Sequence, residues 1–456
     1  MEKVPQAIKG IPLGEMEKND YDVLIVGTGA GGGAVLWRLC EQCKINGMRI
    51  GVIEAGDLLF PTNFWNITKF SMEKYKEMTH QTGRDLPNFS GATQVFALGG
   101  KTLFWRGVTP RFHVSELKKW PIALKDLNSY YSIAEKIMHV TQPYTKNLSI
   151  KPTILDLLRE NDFPEATNIP RALENVTSKN KETPKLFSSI HFLTVALSYR
   201  PFDLALKARA VQIFVEKSKM FGVKVISAQK REYFIKAKIV VLSTGTLETP
   251  RLLLHSGIQG DAIGHYLTHH SSVRAQGKFS SGITGRESIL IPQIKGNAYQ
   301  LQLHTGKNKI NFVGYGKVGS RYENKITLDS KRMDENGVPH IQVDFSYTES
   351  DKKVIKRMCS AIELASSAMG AVLTPIEGES LFLLRPPGDE NHEAGTCRMG
   401  DQPSTSATDL YAQIHSIPDL YIADNSVLPS IGAANPVLTT VALAIRTADH
   451  IIEQLK

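Results

Sequence analysis

A chain of 456 residues, 42% apolar and 22% charged, has ordinary globular composition and is long enough for two or three domains, or for one large α/β body with an inserted lobe. It contains no run of 18 uncharged apolar residues and no apolar region in its first twenty, so neither a membrane span nor a secretory leader is expected. Four cysteines cannot make a disulfide framework, which points to a reducing, cytoplasmic setting; the net charge of +9 is scattered without any run of five basic residues, which indicates solubility rather than nucleic-acid binding.

Residues 21–26 (YDVLIV) are apolar and β-branched after Asp22 and read as a buried parallel strand. The strand runs into Gly27-Thr28-Gly29-Ala30-Gly31-Gly32-Gly33, then the helical stretch AVLWRLC, and a second apolar strand at 49–53 ends in Glu54. Strand, GxGxxG, helix, strand and acid together are the dinucleotide-binding fingerprint. Gly27 permits the tight turn, Gly29 admits a pyrophosphate to the backbone, and Gly32 lets helix and strand pack closely. The helix N-terminus offers unpaired N–H groups and partial positive charge to the phosphates. Glu54, 22 residues past Gly32, is placed to accept hydrogen bonds from both hydroxyls of an adenosine ribose, which favours FAD or NAD over NADP. Cys40 and Cys43 form a CxxC on the same helix. With no second pair or nearby histidines to complete a metal site, they read as structural, and no metal is expected.

A second glycine turn, Gly99-Gly100-Lys101-Thr102-Leu103-Phe104-Trp105-Arg106-Gly107, precedes Trp120-Pro121-Ile122 and Tyr130-Tyr131. Residues 239–258 (IVVLSTGTLETPRLLLHSGI) give strand, glycine turn and helix. Residues 322–345 hold alternating strands about Asp334-Glu335-Asn336-Gly337, a hairpin signal. HEAGTCRMG at 392–400 and LYIADNSVLPSIGAANPVLTTVALAIRTADH at 420–450 complete the set. In this order and spacing the chain resembles the glucose-methanol-choline (GMC) oxidoreductases, with Gln259 where a glycine is usual. GGKTLFWRGVTPRF and NPVLTTVALAIRTA are most similar to the pyranose 2-oxidase and sugar-oxidising branch.

The resemblance implies FAD as redox cofactor and an alcohol as electron donor. A bound alcohol is too weak an acid to ionise unaided at neutral pH, so a positioned base takes its proton as hydride leaves; histidine, ordinarily near pKa ~6.5, suits that role. By its place in the motif His392 is the catalytic histidine, and Asn435, before Pro436, holds the second catalytic position, where an amide can orient the substrate oxygen. Against the cofactor the resemblance places Gly27, Gly29, Gly32, Glu54, Gly99, Gly100, Thr102, Leu103, Trp105, Arg106, Val211, Thr244, Gly245, Asp424, Asn425, Asn435 and Pro436. His269 and His270 read as structural or at most flavin-proximal. Two departures stand out. Some relatives tether flavin through a histidine in the second glycine turn, where this chain has Phe104, so non-covalent FAD is expected. Arg106 replaces a threonine that faces the flavin edge; it either stabilises charge there or turns away to a carboxylate.

The expected architecture is α/β: a discontinuous Rossmann-like FAD-binding domain (20–120, 205–270 and 385–456) with a smaller antiparallel-sheet substrate domain (121–204 and 271–384) roofing the flavin. The partners expected are a small-molecule alcohol or sugar and an electron acceptor, O2 or another, without nucleic acid or membrane; an oligomer is compatible with the sequence. A nicotinamide-dependent dehydrogenase would have no use for the second glycine turn or the C-terminal block. A binding protein without turnover would not need both His392 and Asn435.

Overall fold

The computed structural model describes residues 8–43, 47–59, 79–141, 153–178, 181–279, 286–376, 378 and 380–456. The strand Asp20–Val26 is buried from Val23 onward, which its run of Val, Leu and Ile requires of a strand covered on both faces. It pairs in parallel with Ile50–Ile53 on one side and Glu232–Leu242 on the other. Asp203–Ala205 extends one edge and Leu420–Ile422 joins the far end of Glu232–Leu242, both parallel. The start of Glu232–Leu242 instead meets Lys219–Ser227, which pairs with Ala208–Glu216 in an antiparallel meander.

Tight backbone contact anchors the first turn. Gly27 has φ +98°, and a Cβ there would lie 2.3 Å from the Ser243 carbonyl oxygen. A Cβ on Gly31 would come within 1.7 Å of the Ala423 carbonyl oxygen, and one on Gly32 within 2.1 Å of Gly27's. The helix Ala30–Gln42 thus lies directly on the sheet, one residue earlier than the motif alone indicates.

The helices Ser189–Tyr199 and Val437–Gln454 pack on Ala30–Gln42 and Leu124–Ile137 on Val437–Gln454, and Tyr131, Phe192 and Ile445 share one core with Val23 and Ile25. The grouping of 121–204 with the substrate domain needs correction here. Two of its helices and the sheet strand Asp203–Ala205 belong to the nucleotide body, because their apolar faces are buried there. Cys40 and Cys43 are free and buried in the same core, Cys43 Sγ lying 3.3 Å from Met48 Sδ.

The second sheet has seven strands, all antiparallel: Ala371–Thr374, His270–Phe279, Lys309–Lys317, Tyr299–Gly306, Ser288–Ile291 and Thr167–Asn168 in order, with Leu383–Leu384 against His270–Phe279. Strand alternation divides its faces. Leu301, Leu303, Phe312 and Val273 turn toward the helix Glu349–Ala368 and meet Met358 and Ile362 in a separate core. Gln300, Gln302, Arg274 and Tyr315 turn to the opposite, polar face. The hairpin Lys325–Met333/Pro339–Asp344, turning at Gly337, is a separate ribbon. It does not join the roof as expected: Ile326, Ile341 and Val343 pack on Phe89, Leu247 and Leu267. Among the described residues no helix is long and apolar enough to cross a membrane.

Candidate active site

One cavity of about 580 Å³ runs between the two sheets, from the first glycine turn to the polar face of the roof. Gly27, Gly29, Glu54, Gly100, Thr102, Trp105, Arg106, Thr244, Gly245, Asp424, Asn425, His392 and Asn435 all line it. Val211 does not: its side chain packs with Ile226 and Val338, and the residues before it, Ala208, Arg209 and Ala210, form the wall. Gly32, Gly99, Leu103 and Pro436 also stand off the wall. Gly32 N–H donates to Ser243 Oγ and Gly99 N–H to Thr28 Oγ1, Leu103 is core, and Pro436 caps the last helix.

At the nucleotide end Glu54 is buried, and burial raises its pKa. Its Oε2 accepts from the N–H and hydroxyl of Thr28 at 3.0 and 2.5 Å, and its Oε1 from Gly56 N–H at 2.8 Å. A carboxylate offers about four acceptor directions, and the chain's own donors take three of them. The other acid, Asp424, accepts from Gly245 N–H, Thr249 Oγ1 and Ser426 N–H and is likewise raised by burial. Thr102 Oγ1 bridges the Gly99 carbonyl and Ser189 N–H, and Trp105 Nε1 donates to the Phe187 carbonyl, fixing the second turn. These residues fit FAD. Positions where a Cβ would meet nothing within 4 Å (Gly29, Gly245) face a cavity that also holds a free acceptor on Glu54 and the N-terminus of a 13-residue helix.

At the other end the side chains form one hydrogen-bonded chain. Asn435 Oδ1 accepts from Gln302 Nε2 at 2.6 Å and Gln300 Nε2 at 3.1 Å, which turns Asn435 Nδ2 toward His392 Nε2 at 3.3 Å. His392 Nδ1 lies 2.9 Å from His270 Nδ1. One of that pair must donate. The Asn435 amide selects His392, because an N–H on its Nε2 would oppose the amide hydrogens. His392 therefore carries hydrogen on Nδ1 and a lone pair on Nε2, toward the cavity. Burial, then the charges of Lys101, His269 and Arg274, push its pKa down to about 3, so it is neutral at pH 7. His270 is buried too, and burial holds it well below the ordinary histidine value. His269, the next residue, points the other way into Phe89 and Phe345.

The sequence reading missed His270 as a partner of His392, along with Gln300 and Gln302. It also missed the group beside them, in which Arg274 Nη2 donates to Glu390 at 2.8 Å and Tyr315 OH to the same carboxylate at 3.2 Å. The alternation of polar residues along QLQLH was the available signal for the two glutamines. Arg106 lines the cavity, and among the described residues no carboxylate pairs with it.

Two GMC oxidoreductase family models match, one at residues 96–272 and the other at 320–444. The chain is 26% identical to 2-methyl-1,2-propanediol dehydrogenase of Mycolicibacterium austroafricanum, over 94% of this chain and 95% of that protein. It is 29% identical to C-glycoside 3-oxidase of Arthrobacter globiformis, over 56% and 54% respectively. In fold it is similar to pyridoxine 4-oxidase from Mesorbium loti, with a TM-score of 0.70 at 15% identity, covering 94% of this chain and 99% of that one. With both family regions in order around one cavity, the chain belongs to the GMC oxidoreductases, FAD-dependent enzymes that oxidise CH–OH groups.

Proposed function

We propose that this chain oxidises a CH–OH group of a sugar, cyclitol or glycoside, with His392 Nε2 as proton acceptor and Asn435 Nδ2 as the donor that holds the substrate oxygen. The observation that carries this reading is the oriented pair itself: an imidazole nitrogen and an amide nitrogen 3.3 Å apart, both lining the same cavity. FAD, when bound, supplies the hydride acceptor.

A substrate hydroxyl entering between the two side chains donates its hydrogen to His392 Nε2 and accepts one from Asn435 Nδ2. As the proton moves, negative charge on the substrate oxygen meets the amide N–H, which Gln300 and Gln302 already aim. His270 Nδ1 keeps accepting the Nδ1–H of His392, so the proton taken up stays on Nε2. The chain holds FAD without a covalent link, since Phe104 occupies the tether position and a phenyl ring offers no nucleophilic atom.

The test is anaerobic flavin reduction per bound FAD. His392→Ala is expected to slow it about 10²–10⁴-fold with FAD retained, the usual contribution of a general base. A holo His392→Ala variant that reduces at the wild-type rate removes His392 from the mechanism.

A further inference from the structure

Beyond Gln302 the polar face of the roof continues to His304 and Ser288, which pair across neighbouring strands. Two arginines meet them there. Arg171 Nη1 donates to the Arg106 carbonyl at 3.2 Å and Arg171 Nη2 to Ser288 Oγ at 3.3 Å, while Ser288 Oγ is also 3.2 Å from His304 Nδ1. His304 Nε2 is buried without a partner. Burial, then the positive charges of Arg171, Arg106 and Arg274, push His304 down to about 4, so it is neutral at pH 7. Arg171 itself is held below the usual arginine range by burial and by Arg106.

The charges do not balance. Arg274 is matched by Glu390 and Lys101 by Glu393. Among the described residues neither Arg106 nor Arg171 has a carboxylate partner. Arg106 is exposed and lines the cavity, and Arg171 is half-buried and joined to it through the Arg106 carbonyl, so an arriving anion would meet two positive charges that no carboxylate matches. Their planar forks suit an oxyanion.

We propose that Arg106 and Arg171, with His304 and Ser288 beside them, form an anion subsite, and that the substrate is an anionic polyol: its reacting hydroxyl lies at His392 and its carboxylate or phosphate at the arginines. This deepens the reading of the cavity as a site of alcohol oxidation and rests on it. An aminated, cationic sugar is repelled by the same pair.

The experiment uses the FAD-loaded enzyme, anaerobically, with glucose, glucuronate, glucose 6-phosphate and glucosamine, at low and high NaCl. Two readouts are taken: dissociation constants from perturbation of the flavin absorbance, and flavin reduction rates. At low salt the better of the two anionic ligands is expected to bind about 10- to 100-fold more tightly than glucose, the worth of charge-assisted hydrogen bonds, and to lose that advantage as salt rises. Which of the two does so separates carboxylate from phosphate. In Arg171→Gln and in Arg106→Gln the anion-to-neutral ratio should collapse toward one, and Arg171→Lys should restore part of it. Equal or weaker binding of both anions, or a preference that survives both Gln variants, overturns the subsite. A changed flavin potential in Arg106→Gln, with the anion preference intact, would assign that arginine to the flavin instead. If no ligand reduces the flavin yet anions bind in an Arg171-dependent way, the oxidation reading fails and the subsite stands.

Discussion

The pH dependence of flavin reduction tests the placement of His392 directly. An imidazole at the ordinary value of 6.5 would be only about 3% neutral at pH 5, which predicts a roughly 30-fold fall in rate between pH 8 and pH 5. Burial and the charges of Lys101, His269 and Arg274 hold His392 at about 3, which keeps it about 99% neutral at pH 5. The expected profile is therefore flat from pH 8 to 5, with its acid limb below pH 4. The tertiary surroundings thus displace the limb from the ordinary histidine value. Stopped-flow reduction of the holoenzyme by a saturating substrate, normalised to bound FAD, measures it. A 30-fold loss by pH 5 that is absent from His392→Ala would show an ordinary, solvated base and refute the argument from burial. Protection of the neutral form has a cost in basicity, and the hydrogen bond to His270 offsets part of it by favouring the imidazolium that forms.

Asn435→Ala should keep the flat profile but lower the rate at every pH, since it removes the oriented donor and leaves the base; Gln302→Leu should do the same more weakly, because Gln300 still holds the amide. Denaturation should release intact FAD into the supernatant, as Phe104 offers no tether; flavin that remains with the precipitated chain would contradict this. Glu54→Ala should lose FAD affinity through one charge-assisted hydrogen bond, worth about 1.5–3 kcal/mol, and in addition loosen the Thr28 turn it braces. Titration of the apoprotein separates that variant from Glu54→Gln, which keeps the shape. Thermal stability should fall as pH drops below about 6.5, the unfolded histidine value. His269, His270 and His392 are neutral in the fold, so the unfolded chain binds more protons in the window from 6.5 down to about 3, and stability is lost in acid rather than in base. A melting temperature constant from pH 7 to 5 would show those histidines to be solvated.

Local backbone geometry made several features legible in the sequence. The first glycine turn, Glu54 and the flanking strands lie within about 35 residues, and their spacing follows from one strand, one turn and one helix. HEAGTCRMG and AANP likewise carry His392 and Asn435 in short, recognisable surroundings. Segment 121–204 was misplaced because composition does not say which core a helix joins, and Leu124–Ile137 and Ser189–Tyr199 bury their apolar residues in the nucleotide body. At Val211 a strand's alternation says which residues share a face, not which face meets the cavity, and its side chain packs with Ile226 and Val338. The adjacent His269 and His270 make the same point: strand geometry sends them to opposite sides, one into an aromatic cluster and the other, across 122 residues of chain, to His392. Pairings at such separations, including Gln300 and Gln302 with Asn435, depend on how the roof sheet settles over the nucleotide sheet. The sequence alone determined the family and the nucleotide fingerprint, and singled out His392 as the proposed base. The tertiary structure decided that base's tautomer, its acidity and the charge of the pocket, because each depends on groups that only packing brings together.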